Sequence, residues 1–167
     1  MLTDDVTIYL NEAEQEKVIK LAAEHIRTAK NTNSKLKYGQ LEQNKQRDHL
    51  VGYTGEVAIA QFLNYDMRYF SYNKKRNDVL GYEIRTTTTD YLITHDDCKD
   101  GLYIAIKFCD LSKVIIKGWR KVDSNYVARW RDDWKRPCYT KNHSNLWPIN
   151  ALPATFELIA HQQTVYA

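Results

Sequence analysis

Three carboxylates and one arginine carry the clearest chemical signal in the chain. Glu83 and Arg85 lie two apart in NDVLGYEIRTT (77–87), a segment with strand character, so their side chains share one face of an extended backbone. Asp78 precedes Leu80-Gly81, and a bend at that glycine carries its carboxylate back beside Glu83. Glu56, in GYTGEVAIAQFL (52–63), can complete an acidic cluster from a helix. Carboxylates on adjacent strand segments, with a cation beside them, suit a divalent metal bound through hard oxygen ligands. Each residue alone also has an ordinary role. Asp78 can start a turn, Glu83 and Arg85 can form a solvated strand face, and Glu56 can sit on an exposed helix surface. The combination and its order single them out.

The elements that must position these residues follow from pattern. Asn11 with Glu14 three residues on reads as a capping box, and Val18, Leu21, Ala22, His25, Ile26 and Ala29 recur at helical spacing. This predicts a helix over about 11–30. The polar stretch 31–47 reads as a loop or an exposed helical extension. A second helix is expected over about 48–63, with Leu50, Val51, Thr54, Ala58 and Phe62 on one stripe. Gly52 and Gly55 suggest that another backbone comes close there. Strand character follows at 67–72, 78–80 and 82–88, and 90–100 is a polar stretch. LYIAIKF (102–108) and KVIIKGWRK (113–121) should pair as a hairpin. Residues 123–134 read as a helix with Val127, Trp130 and Trp134 on one face. A short strand near 138–140 and mixed turns around Pro148 and Pro153 complete the chain. The expectation is one α/β domain over 1–167, with a mixed, mainly antiparallel central sheet flanked by helices. Its parts are the N-terminal helix, a core over about 48–122 and a basic extension over about 123–167.

Composition narrows the class. A chain of 167 residues is the size of one domain and can bury roughly 70% of its unfolded surface. With 43% hydrophobic and 27% charged residues it is not disordered throughout. No window approaches about 18 uncharged apolar residues, so no membrane helix and no membrane partner are expected. The start, MLTDDVTIYL, carries acids where a secretion signal carries basic residues. Cys98, Cys109 and Cys138 are scattered and show no C-x-x-C spacing, which suggests reduced thiols and a cytoplasmic location. The net charge of +3 is unevenly placed: residues 51–100 carry eight acids against six bases, and 101–167 carry ten bases against five acids. An acidic pocket beside a basic surface suits a metal next to a polyanion.

The order Glu56, Asp78, Glu83-Ile84-Arg85 resembles the PD-(D/E)XK nuclease superfamily, whose pattern is an acid on an early helix, then Asp, then (D/E)-x-K on the next strand. Glu83-Ile84-Arg85-Thr86-Thr87 and Ile116-Lys117-Gly118-Trp119 are similar to phage and bacterial members that carry E-V-R-T-T. The resemblance covers residues 48–152 loosely. It implies a restriction-endonuclease-like core and Mg²⁺- or Mn²⁺-aided phosphodiester hydrolysis in a phage or host cytoplasm. Asp78, Glu83 and the Ile84 carbonyl would hold the ion, with Glu56 assisting. Arg85 departs from the pattern. It stands where lysine is usual and is effectively always protonated, so it cannot act as a base, but as a catalytic residue it can steady the charge on the phosphate with its planar fork of donors. Lys74, Lys75 or Lys107 is available for that role, and the sequence does not choose among them.

Lys117, Arg120, Lys121, Arg129, Arg131, Lys135 and Arg136 fall within 25 positions, interleaved with tryptophans. The cations suit contacts to a nucleic-acid backbone, with DNA the expected partner, while Trp130 and Trp134 read as core anchors. His95-Asp96-Asp97 reads as a polar loop, and His143 and Cys138 lack partners at zinc spacing. Two other readings stay open: a catalytically inactive nucleic-acid-binding protein on the same scaffold, and a protein–protein interaction factor.

Overall fold

Asn11 and Glu14 form a reciprocal cap. The Glu14 N–H donates to Asn11 Oδ1 at 2.9 Å, and the Asn11 N–H donates to Glu14 Oε1 at 3.0 Å. This satisfies two otherwise orphaned amides and starts helix α1, Glu12–Asn31. The structure is a computed structural model and is described for residues 4–31, 42–66 and 78–165. The strand expected over 67–72 lies outside these residues, as do Lys74 and Lys75.

Helix α2, Glu42–Phe62, begins earlier than expected and runs unbroken through both glycines. It packs against α1 and also against the sheet. Two covered sides explain why burial is not confined to one stripe. Val57, Ala58, Ile59 and Ala60 are all fully buried, whereas Phe62, at the helix end, is exposed. A Cβ at Gly55 would stand 1.8 Å from Thr86 Oγ1, while one at Gly52 would meet nothing within 4 Å. Only Gly55 marks a close approach.

The fold is α/β. Four strands form the central sheet in the order β1 (Val6–Tyr9), β5 (Lys113–Val122), β4 (Gly101–Asp110), β2 (Tyr82–Thr87). β1–β5 and β5–β4 are antiparallel, the latter being the expected hairpin, and β2–β4 is parallel, with Glu83 opposite Tyr103. β4 is covered on both faces. Ile104 and Ile106 join the core beneath the helices, and Tyr103 and Ala105 join a second apolar cluster with Leu92, Val122 and Leu146. A bulge at Lys117-Gly118 shifts the β4–β5 register, and Gly118 takes φ +136° where Trp147 O lies against it. No described helix is long and apolar enough to cross a membrane.

Three expectations are corrected. The 90–100 stretch contains β3 (Tyr91–Thr94), which joins β7 (Cys138–Asn142) and β6 (Arg129–Arg131) in a second, antiparallel sheet. Residues 123–134 are not helical. β6 places Trp130 opposite Tyr139, with ring centroids 4.8 Å apart, Arg131 is held by Asp133, and Val127 is 76% exposed. Trp130 is therefore no core anchor, and the pairing with β7 outweighs a weak helical spacing. The expected tail of turns contains 3₁₀ segments at His143–Asn145 and Ile149–Ala151, and also a helix, α3 (Phe156–Val165), whose Leu158 reaches the main core.

Gly55→Ala should lower stability by about 1–3 kcal/mol through overpacking against Thr86, more than its gain in helix propensity. Gly52→Ala should raise stability by up to about 1 kcal/mol. Urea unfolding of both variants checks the pair, and equal effects would contradict the close approach at Gly55.

Candidate functional site

One turn builds the site. Leu80 and Gly81 both have positive φ, 44° and 83°, and Val79 and Tyr82 exchange backbone hydrogen bonds across them. This is the left-handed geometry of a two-residue hairpin turn. A leucine there is strained. The Thr155 hydroxyl holds it by donating to Leu80 O. The turn folds Asp78 back so that its Oδ2 accepts the Ile84 N–H at 2.7 Å.

Glu83 and Arg85 then share a face, as their spacing requires. Arg85 Nη2 lies 3.8 Å from Glu83 Oε2, and Nη1 lies 3.7 Å from Asp78 Oδ2. The same Nη1 donates to Ile84 O at 3.3 Å. One guanidinium thus touches both carboxylates and the intervening carbonyl. Glu56 approaches from α2. Burial, and next the Asp78 carboxylate, push its pKa well above the usual range, with Glu83 adding to the rise and Arg85 opposing it. Burial also raises the pKa of Asp78, against the Ile84 N–H, and Glu83 adds to that rise while Arg85 and Lys99 oppose it. Glu56, Asp78, Glu83 and Arg85 therefore act on one another electrostatically.

A residue the sequence reading missed completes the group. Lys99 Nζ lies 2.9 Å from Glu83 Oε1, an ion pair whose angle falls outside that of a directed hydrogen bond. Lys107, offered for this role, is instead paired with Asp90, opposite Thr87. Lys99 arrives through the parallel β2–β4 pairing, which brings the start of β4 alongside Glu83. The Tyr103 hydroxyl donates to Lys99 O at 2.7 Å and fixes that backbone. Nothing in the local sequence signals this contact.

The metal implied by the resemblance is tested by the donors. Asp78 Oδ2, Glu83 Oε2 and Ile84 O lie 3.7, 3.8 and 3.3 Å from nitrogens of the one Arg85 guanidinium, and oxygens of this kind are the donor type that Mg²⁺ takes. Among the described residues no three His, Cys, Asp or Glu side chains form a metal-holding group. The cation that these oxygens face is the Arg85 guanidinium. A cleft of about 480 Å³ opens beside it, lined by Glu83, Arg85, His95, Lys99, Tyr103 and Arg136.

No family model, curated protein or solved structure matches the chain.

Of the basic segment, Arg136 alone lines this cleft, while Lys135 lines a second cleft with Arg47 and Thr86. Lys117 pairs with Asp5, Lys121 lies 3.5 Å from Asp123, and Arg131 pairs with Asp133. Arg120 donates to Asn145 O and stacks on Trp147, with 4.2 Å from Cζ to the ring centroid. Arg129 is exposed. His143 is buried, and burial lowers its pKa to about 4, as expected of a neutral core histidine.

Glu56 has a folded-state pKa above its unfolded value. Its favourable contribution is present below the unfolded pKa and is lost as pH rises through the folded one. In chelator-treated protein, Glu56→Gln should therefore gain on wild type by several degrees of Tm as pH is raised from about 4.5 into the alkaline range. A Tm difference that does not change with pH would show that Glu56 is not strained by its neighbours.

Proposed function

We propose that the chain is a metal-dependent nuclease hydrolysing phosphodiester bonds in DNA, with Mg²⁺ or Mn²⁺ as its ion. The observation that carries this reading is that Asp78 Oδ2, Glu83 Oε2 and Ile84 O all face one guanidinium, that of Arg85. On this reading the core is restriction-endonuclease-like and the protein works in a cytoplasm. Bound there, the ion would neutralise charge developing on the phosphate and make water a better nucleophile.

The chain's own residues divide the remaining work. Asp78 and Glu83 hold the ion, and the Asp78–Ile84 hydrogen bond keeps the carboxylate and the carbonyl in register. Glu56, whose carboxyl resists ionisation, is a reserve acid that the ion's charge would bring into play. Lys99 takes the place of the pattern's lysine. Its side chain is 55% exposed beside Glu83, where its ammonium can donate to a water and orient it. Arg136 and Lys99 give the cleft cations for a phosphate.

A second reading, a nucleic-acid-binding protein with lost catalysis, is favoured by one observation: Arg85 already satisfies the carboxylates that an ion would need. The two readings separate in a cleavage assay with Mg²⁺ or Mn²⁺ on single-stranded DNA, duplex DNA and RNA. A nuclease should lose activity with chelator, and Asp78→Ala and Glu83→Ala should each remove it while sparing DNA binding. Lys99→Ala should slow single-turnover cleavage by roughly 10²-fold, the usual cost of misplacing a reacting group. Arg85→Lys should retain activity. Absence of cleavage by wild type on every substrate would leave the binding reading. Undiminished cleavage by the Asp78→Ala/Glu83→Ala double variant would put the chemistry elsewhere.

A further inference from the structure

We infer that the Arg85 guanidinium is the resident cation of the metal position and that a divalent ion binds only by displacing it. The inference rests on the metal-centre reading above and adds a gate to it. Two cations serve this group of carboxylates, and they do different things. Lys99 pairs with Glu83 through Oε1 at 2.9 Å. Arg85 faces the other oxygen, Oε2, and in addition Asp78 Oδ2 and the Ile84 carbonyl. It meets the three atoms that would ligate the ion. A divalent ion at these atoms would stand within a few ångströms of the guanidinium, and the two cations repel each other.

The arginine is also placed so that it can leave. Its contacts with the two carboxylates are long, 3.7 and 3.8 Å, and so are loose ion pairs rather than a bidentate clamp. Its side chain is 31% exposed and lies against the cleft, with Cζ 5.1 Å from the Tyr103 ring centroid and Nη2 3.8 Å from Cys98 Sγ. Rotation outward trades the carboxylates for the cleft. Arginine in place of lysine gives the gate its character. A lysine can lose its proton when a divalent ion approaches, whereas arginine keeps its charge and must move bodily. The ion's apparent affinity is then reduced by the fraction of molecules in which the arginine still occupies the position.

The test is Mn²⁺ binding without DNA, read by calorimetry and by the electron paramagnetic resonance signal of free Mn²⁺. Arg85→Gln keeps most of the side-chain volume and guards against misfolding of Arg85→Ala. Both should bind one Mn²⁺ at least about tenfold tighter than wild type, because a full charge is removed from the ligating atoms themselves. Adding Asp78→Asn to Arg85→Gln should abolish that binding. Arg136→Ala removes a cation that lines the same cleft, and should change affinity by less than about threefold. Equal Asp78-dependent affinity in wild type and both Arg85 variants would overturn the gate while leaving the metal centre standing. A gain in Arg136→Ala matching that in Arg85→Gln would also overturn it, by showing that general field rather than occupancy sets the affinity. Absence of Asp78-dependent Mn²⁺ binding in every form would overturn the metal-centre reading, and the gate with it.

Discussion

The contact between Gly55 and Thr86 sets the distance between α2 and the sheet, and the site depends on that distance. A side chain at 55 would drive its Cβ to 1.8 Å from the threonine hydroxyl, so the helix can lie this close only where there is no Cβ. The cost is visible in Thr86 itself, whose Oγ1 is buried without a hydrogen-bond partner. The next residue is Glu56. With the helix drawn in, its carboxylate falls within the field of Asp78 and Glu83. A helix standing further off would weaken the hold of those two carboxylates on Glu56.

The same region concentrates features that work against stability. Leu80 takes a backbone conformation that suits glycine. Glu83 is only 4% exposed, and Glu56 and Asp78 resist ionisation. Buried carboxylates are tolerable when cations and amides face them, and here Arg85, Lys99 and the Ile84 N–H do so. Strain and like charge gathered at one strand end, and held there by packing on both sides, are typical of places where a fold serves something other than its own stability.

What was legible in the sequence was local. The Asn11–Glu14 cap, the β4–β5 hairpin, the reversal at Gly81 and the shared face of Glu83 and Arg85 each depend on residues a few positions apart, and each is present. What was not legible depends on distant partners. β3 is four residues long and exists because β7, nearly fifty positions on, pairs with it. Residues 129–131 are extended for the same reason, although Val127, Trp130 and Trp134 have helical spacing. Lys99 reaches Glu83 because β2 and β4 run parallel, a relation that no turn signal announces. The basic segment was read as one stripe, yet the fold distributes it. Arg136 faces one cleft, Lys135 another, and Lys117 is tied to Asp5.

The pairing of β1 with β5 bears on how the chain is made. Val6 to Tyr9 lie opposite Ile116 to Lys113, so β1 leaves the ribosome long before its partner exists. In the interval its unpaired edge is open to any passing strand. The chain already holds a guard for that interval. The Gln61 amide donates to Tyr9 O at 2.9 Å and to both oxygens of Glu14 at 3.0 Å, so α2 can clasp the strand and the cap of α1 before the other strands of the sheet have been translated. A helical hairpin that shelters the first strand lets nascent-chain folding start from local contacts and leaves the long-range pairing for last.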